Sequence, residues 1–143
     1  IYISGGEEMM QAASEAREYA KSEALLIGVS VLTSLNEKNI KNMGFKVEIS
    51  ELVKILSVNA KKNNLDGVVC SVKEVPEIKE DLGEDFITVT PGIRIQQKNN
   101  DQSRVATLEE ASLNRNDYIV LGRELTASKN VSKMIKKVES YII

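Results

Sequence analysis

The chain carries the sequence FITVTPGIR at positions 86–94, an apolar run that leads into a proline, a glycine and an arginine. Because proline has no backbone N–H to donate to a neighbouring strand, the run predicts a buried strand that stops at Pro91. The same order recurs where the apolar run Tyr118–Leu121 is followed by Gly122 and Arg123. Both strands are therefore predicted to end beside a glycine and an arginine.

Apolar runs alternate with helix-like segments along the whole chain. The predicted strands are Ile1–Ser4, Leu25–Leu32, Asp66–Cys70, Phe86–Thr90 and Tyr118–Leu121. The predicted helical segments are Glu7–Lys21, Asn36–Asn42, Ser50–Asn63 and Lys73–Leu82 (a polar helix or turn), one opening at the Thr107–Glu110 capping box, and a closing one from Val131 to Ile142. Strands that are apolar on both faces and separated by helices favour a parallel α/β sheet. Two architectures fit this pattern, an open doubly wound sheet and five-eighths of a (β/α)8 barrel.

The composition fits a single globular segment over residues 1–143 and excludes several classes of protein. A net charge of −2 and the absence of Trp predict no nucleic-acid partner, and no apolar run reaches the roughly 20 residues that span a bilayer. Because the sequence has no His, a His-based triad or a His-ligated metal is excluded within these residues. The lone Cys70 excludes an internal disulfide and favours a reducing compartment, which predicts a cytoplasmic protein.

Hydroxyl residues, glycines and arginines follow the predicted strands at the edge of the sheet where parallel strands all end. They are Thr33 and Ser34, Ser71, the stretch Pro91–Arg94 that contains Gly92 and Arg94, and Gly122 with Arg123. An arginine donates two parallel hydrogen bonds to a phosphate, a glycine lets the backbone approach an anion, and the amide of Gln102 is a further donor. In a barrel, phosphate is held by the loops after the last two strands, so the two arginines predict a phosphorylated ligand. The alternative is that these positions are polar only because loops begin there.

Several blocks of the sequence resemble the bacterial type of orotidine 5′-phosphate decarboxylase, in the same order. They are GG at 5–6 with EMM at 8–10, LIGVSVLTS at 26–34, DGVVCS at 66–71, VTPGIR at 89–94, DQSRVAT at 101–107 and VLGRELT at 120–126. That family folds as a (β/α)8 TIM barrel and converts orotidine 5′-phosphate to uridine 5′-phosphate and carbon dioxide without a metal or organic cofactor. The resemblance implies that this chain is the C-terminal part of such a barrel, about strands 4–8.

The resemblance also implies roles for individual residues. Those implied to hold the phosphate are Arg94, Gln102, Gly122 and Arg123. Thr33 is implied to lie by the pyrimidine or ribose, Ser71 and Pro91 to line the base pocket, and residues 96–101 to form part of a lid over the phosphate. The family further implies a homodimer, because its members build their sites across a two-fold interface.

Two departures from the family pattern limit what the chain is expected to do. The family's catalytic Asp-x-Lys-x-x-Asp string is absent, as are the Asp and Lys of its first two strands, so strands 1–3 and every catalytic residue are expected to lie outside these residues. Ile1-Tyr2 stand where the family usually has Val-His. The rival interpretations are a related metal-dependent barrel, such as a hexulose-phosphate synthase or keto-gulonate phosphate decarboxylase, and a non-catalytic remnant that still binds phosphate.

Overall fold

A computed structural model describes residues 1–95 and 104–141 of the chain. Its main sheet has four parallel strands, β1 (Ile27–Val29), β2 (Gly67–Val69), β3 (Ile87–Thr90) and β6 (Tyr118–Ile119), and their order in the sheet follows their order in the sequence. Two short strands, β4 (Ile93–Arg94) and β5 (Ala106–Thr107), form a separate parallel pair. Successive parallel strands that lie side by side are the arrangement that βαβ connections produce.

Within the described residues there are seven α-helices, of which the first precedes β1 and the others connect or follow the strands. They are α1 (Glu7–Tyr19), α2 (Glu37–Asn42), α3 (Ile49–Lys62), α4 (Val75–Leu82), α5 (Leu108–Leu113), α6 (Arg123–Thr126) and α7 (Val131–Glu139). Single-turn 3-10 helices cover Ile3–Gly5 and Val72–Glu74. In the part of the chain that the structure describes, no helix is both long enough and apolar enough to cross a membrane.

The predicted capping box at the start of α5 is confirmed. The Thr107 hydroxyl accepts a hydrogen bond from the Glu110 N–H at 3.1 Å, and the Glu110 carboxylate accepts one from the Thr107 N–H at 2.7 Å. This reciprocal pair satisfies two donors that the first turn of a helix otherwise leaves without partners. Since these contacts are local, the four-residue pattern was sufficient to place the start of the helix.

The predicted strand bounds were furthest from the structure at two places, while the other three predicted strands are one or two residues too long. Ile1–Ser4 is not a strand: Tyr2 makes a single parallel bridge with Val29, and the chain then turns into the 3-10 helix. The apolar run Leu25–Leu32 contributes only three residues to β1, because Leu25 and Leu32 at its two ends are about half exposed and have no pairing partner in the sheet.

The core lies in two clusters of buried side chains. The larger one fills the space between the sheet and helices α1, α3 and α4, and its members include Met10, Val53, Ala60, Val68 and Ile78. The smaller one packs the β4–β5 pair against α5 and α7, and it includes Ile93, Ala106, Leu108, Ala111 and Val138. Because the smaller cluster anchors both short strands, it holds the segment after β3 in a defined position.

Candidate functional site

The candidate site lies at the carboxyl ends of the parallel strands, where the loops after β1, β2, β3 and β6 all leave the sheet. The first two of these loops are linked directly, since the Ser30 hydroxyl donates a hydrogen bond to the Val69 carbonyl at 2.6 Å. This edge of a parallel α/β sheet is where ligands generally bind.

Thr33, in the loop after β1, lies beside Gly92, in the loop after β3. A β-carbon built on Gly92 would lie 3.7 Å from the Thr33 hydroxyl oxygen and 3.2 Å from the Arg104 carbonyl oxygen. Gly92 has a φ of +80°, a conformation that side chains with a β-carbon rarely adopt. The glycine therefore permits both the turn after Pro91 and the close approach of two other segments.

Arg94 is carried by the pair of strands β4 and β5, which we call the arginine ribbon (Ile93–Arg94 with Ala106–Thr107). Its register sets Arg94 opposite Thr107, and the Ala106 N–H donates a further hydrogen bond to the Gly92 carbonyl at 3.2 Å. The sequence pattern did not predict this ribbon. It holds the backbone of Arg94 at a fixed position beside the strand ends.

Glu124 joins the arginine ribbon to the loop after β6. One carboxylate oxygen of Glu124 lies 3.9 Å from Arg94 Nε, and the other accepts a hydrogen bond from the Ile95 N–H at 3.4 Å. The side chain of Arg94 is mostly buried, with 12% of it exposed. Glu124 was not predicted as a site residue, and only its place directly after Arg123 hinted at such a role.

Gly122 and Arg123 form the start of α6. The Gly122 carbonyl accepts hydrogen bonds from the N–H groups of Leu125 and Thr126 at 3.0 and 3.1 Å. A β-carbon built on Gly122 would meet no described atom within 4 Å, and Arg123 is exposed. Gly122 and Arg123 are therefore both exposed residues directly before Glu124, which in turn contacts Arg94.

Ser71 has a different environment from the exposed residues of this edge. It is 2% exposed, and its hydroxyl accepts a hydrogen bond from the Lys73 N–H at 3.4 Å as the cap of the 3-10 helix after β2. Its own N–H donates to the Glu74 carboxylate at 2.7 Å. Its role at a base pocket, like that of the half-buried Pro91, stays a prediction. Gln102 and residues 96–101 lie outside the described residues.

Arg104 and Glu74 form a buried ion pair at the same edge, which the sequence reading missed. Their side chains are 11% and 10% exposed, and the Nη2 of Arg104 donates to Glu74 Oε1. Burial lowers the pKa of Arg104 below its ordinary value, while the Glu37 carboxylate acts in the opposite direction. Cys70 is fully buried and is therefore a packed core residue, as its place in an apolar run predicted, and this burial raises the pKa of its thiol to about 12.

Charged residues at the opposite, amino ends of the strands serve the fold. Asp66 precedes β2, accepts a hydrogen bond from the Leu26 N–H at 2.6 Å and pairs with Arg17. Its carboxylate thus ties together the starts of two neighbouring strands. Among residues 1–95 and 104–141, no group of three or more Asp, Glu or Cys side chains is arranged to hold a metal ion.

Comparison with known proteins assigns this arrangement to a family. The model of the orotidine 5′-phosphate decarboxylase / HUMPS family matches residues 1–138. The chain belongs to this family. It is 42% identical over 139 residues to orotidine 5′-phosphate decarboxylase from Saccharophagus degradans, covering 96% of this chain and 58% of that protein. It is 44% identical over 135 residues to the enzyme of the same name from Carboxydothermus hydrogenoformans, covering 56% of it. The chain thus spans somewhat more than half the length of these relatives.

Solved structures of the family give the fold. Orotidine 5′-phosphate decarboxylase from Lactobacillus acidophilus superposes with a TM-score of 0.81 at 28% identity, over 99% of this chain and 61% of that one. The protein of the same name from Pyrococcus horikoshii shares the fold with a TM-score of 0.54 at 16% identity. The chain is therefore a partial TIM barrel, which confirms the barrel prediction and excludes the open doubly wound sheet.

Proposed function

We propose that this chain supplies the phosphate- and base-binding part of an enzyme that decarboxylates orotidine 5′-phosphate to uridine 5′-phosphate in pyrimidine biosynthesis. The observation that carries the proposal is the meeting of two loops at the strand ends. There Glu124, which directly follows Arg123 in the loop after β6, contacts Arg94 and Ile95 of the segment that carries the arginine ribbon. The curated relatives carry the name of this activity, and the order of strands is that of a barrel in which these loops bind phosphate.

The phosphate is proposed to lie against the loop after β6. Arg123 is exposed and can donate two parallel hydrogen bonds to a phosphate, and the open backbone at Gly122 adds an N–H. Arg94 adds a second positive charge to the proposed phosphate site, and Glu124 holds the guanidinium of Arg94 in place. By the family pattern, Gln102 adds a donor from its side-chain amide. These donors suit a phosphate dianion. An uncharged nucleoside, which has no phosphate, would gain no comparable interaction from them.

The base and ribose are proposed to lie toward the loops after β1 and β2. Thr33 is half-buried beside Gly92, and its hydroxyl is within reach of a ligand that rests on that glycine. Pro91 and Ser71 are assigned to the wall of the base pocket. Ser71 can contribute there through the proton of its hydroxyl, because the hydroxyl oxygen only accepts a hydrogen bond from Lys73, whereas the backbone N–H and carbonyl of Ser71 are both bonded to Glu74.

The reaction itself is assigned to groups beyond this segment. We propose that the Asp-x-Lys-x-x-Asp array comes from the part of the relatives' length that this chain does not span, which completes the barrel with strands 1–3. Phosphate contacts remote from the reacting carbon can supply binding energy that organises those groups. The Lys and Asp residues would supply the charge and the proton at carbon.

The assembly and location are part of the proposal. We propose a homodimer, since the family builds its sites across a two-fold interface, and a cytoplasmic protein, in which the thiol of Cys70 stays reduced. Sedimentation of the complete polypeptide should give twice the mass of one chain. A monomer with full activity would contradict the dimer.

An activity assay tests the proposed function. The complete polypeptide that contains these residues should convert orotidine 5′-phosphate to uridine 5′-phosphate, and residues 1–143 alone should not. The activity should persist in EDTA, which separates this enzyme from the related metal-dependent barrels. Loss of turnover in EDTA that Mg²⁺ restores would favour those barrels. A complete polypeptide that binds uridine 5′-phosphate but does not turn over the substrate would favour the non-catalytic remnant.

A further inference from the structure

The ion pair of Arg104 and Glu74 connects two loops that approach the site from different strands. Glu74 lies in the 3-10 helix after β2, and Arg104 lies 12 residues beyond Gly92, just before β5. Both side chains are about nine-tenths buried. Among the described residues, the pair is thus one of the few places where charged groups enter the interior at the carboxyl ends of the strands.

On one side, the Glu74 carboxylate fixes the turn at Ser71. Its Oε2 accepts a hydrogen bond from the Ser71 N–H at 2.7 Å, while the Glu74 N–H donates to the Ser71 carbonyl at 3.0 Å. The same carboxylate receives Arg104 on its other oxygen. A single carboxylate therefore sets both the backbone on the base side of the site and the position of the arginine.

On the other side, Arg104 fixes the arginine ribbon. The Arg104 carbonyl lies 3.2 Å from where a β-carbon on Gly92 would be, and two residues later the Ala106 N–H donates to the Gly92 carbonyl. β5 then pairs with β4, which sets Arg94 opposite Thr107. We therefore expect a displacement of Arg104 to shift the backbone that carries Arg94.

A contribution to folding stability does not by itself explain why the ion pair of Arg104 and Glu74 is buried. Two charges lose their hydration when they are buried, and the attraction between them often does no more than offset that cost. Here the compensation is incomplete, because the Nη1 of Arg104 is buried without a hydrogen-bond partner among the described residues. The neighbouring buried cluster of Ile93, Ala106 and Leu108 shows that apolar packing is available at this place.

We infer that Glu74 and Arg104 are positioning residues, which lock the base side of the site at Ser71 to the phosphate side at Arg94 so that the two halves of a nucleotide are bound together. This inference rests on the proposed function for the identity of the ligand. It predicts that the pair matters for a ligand that reaches both sides at once, and little for a ligand that occupies only one.

The test is the preference of the complete polypeptide for uridine 5′-phosphate over uridine, measured by calorimetric titration. Glu74→Gln should weaken uridine 5′-phosphate by about tenfold or more, within the range usual for coupled sites, and leave uridine within about twofold. The matched control is Glu84→Gln, which removes the exposed partner of Arg115 and should change neither affinity. A Glu74→Gln variant that folds and keeps the full preference would overturn the inference.

A double variant keeps the test decisive if Glu74→Gln does not fold, since a single substitution leaves Arg104 as an unpaired buried charge. Glu74→Gln/Arg104→Met removes both charges. A positioning role predicts a folded protein that has lost the preference, and a merely structural role predicts one that keeps it. The unsubstituted protein separates the two proposals. If the unsubstituted protein shows no preference for uridine 5′-phosphate over uridine, the proposed function fails. If the unsubstituted protein shows this preference and the double variant shows the same preference, only the positioning role fails.

Discussion

The ammonium group of Lys79 lies 2.7 Å from the Asp117 carboxylate, at the end of the sheet opposite the candidate site. The same carboxylate oxygen accepts hydrogen bonds from the N–H and the hydroxyl of Thr88, at 2.7 and 2.8 Å. Lys79 also donates to the carbonyls of Glu84 and Phe86. The end of α4 and the starts of β3 and β6 therefore meet at one carboxylate.

Asp117→Asn should destabilise the protein by about 2 kcal/mol, because it leaves the 5%-exposed Lys79 side chain without its counter-charge, while the partial exposure of Asp117 limits the loss. Chemical denaturation at pH 7 measures this. Glu84→Gln, which breaks the exposed pair with Arg115, is the control and should cost no more than about 0.5 kcal/mol. Equal effects of the two substitutions would contradict the structural role of Asp117.

The contribution of Asp117 should vanish in acid. Burial by itself raises the pKa of Asp117, but the hydrogen bonds from Lys79 and Thr88 outweigh it and lower the pKa below its ordinary value. A carboxyl whose pKa is lowered by folding stabilises the native state above its unfolded pKa of about 4, and that stabilisation is lost as the pH falls through the folded pKa. The difference in unfolding free energy between the parent and Asp117→Asn should therefore shrink below about pH 4. A difference that stays constant down to pH 2 would contradict this assignment.

Cys70 should be unreactive in the native protein. Burial raises its pKa to about 12, so the native thiol has almost no thiolate at pH 8. Alkylation by iodoacetamide at pH 8 should be slower in the folded than in the unfolded protein by on the order of a thousandfold. Mass spectrometry after timed quenching measures both rates. Rapid labelling without unfolding would show that Cys70, which directly follows β2, is not buried as described.

Gly92→Ala should cost more than Gly44→Ala, although both glycines have positive φ values, +80° and +95°. A residue with a β-carbon costs about 1 kcal/mol in that region at either position. At Gly92 the new carbon also comes within 3.2 Å of the Arg104 carbonyl, whereas at Gly44 it meets nothing within 4 Å. Thermal denaturation should show the larger shift for Gly92→Ala, which should also weaken uridine 5′-phosphate. Equal shifts would contradict the close approach of Arg104.

The features that the sequence predicted are those that depend on local patterns. The alternation of apolar runs and helices led to a parallel α/β sheet, and four residues were enough to place the cap of α5. The two Gly–Arg loops were placed correctly at the strand ends because a run of apolar residues marks where a buried strand stops.

The contacts that the sequence did not predict join residues that are distant along the chain. Glu124 lies 30 positions from Arg94, and Arg104 lies 30 positions from Glu74. The arginine ribbon consists of two strands of two residues each, which is too short for any alternation to be visible. Such pairs depend on how the loops pack over the strand ends, and neither composition nor periodicity carries that information.

The affinity of an Arg123→Ala variant for uridine 5′-phosphate and for uridine tests the central claim most directly. Because the exposed Arg123 is assigned to the phosphate alone, its removal should weaken uridine 5′-phosphate by about 2 kcal/mol, or about thirtyfold, and leave uridine unchanged. Arg115→Ala removes an exposed arginine at the amino ends of the strands, remote from the candidate site, and should change neither affinity. An equal loss for nucleotide and nucleoside would contradict a phosphate site at the end of β6.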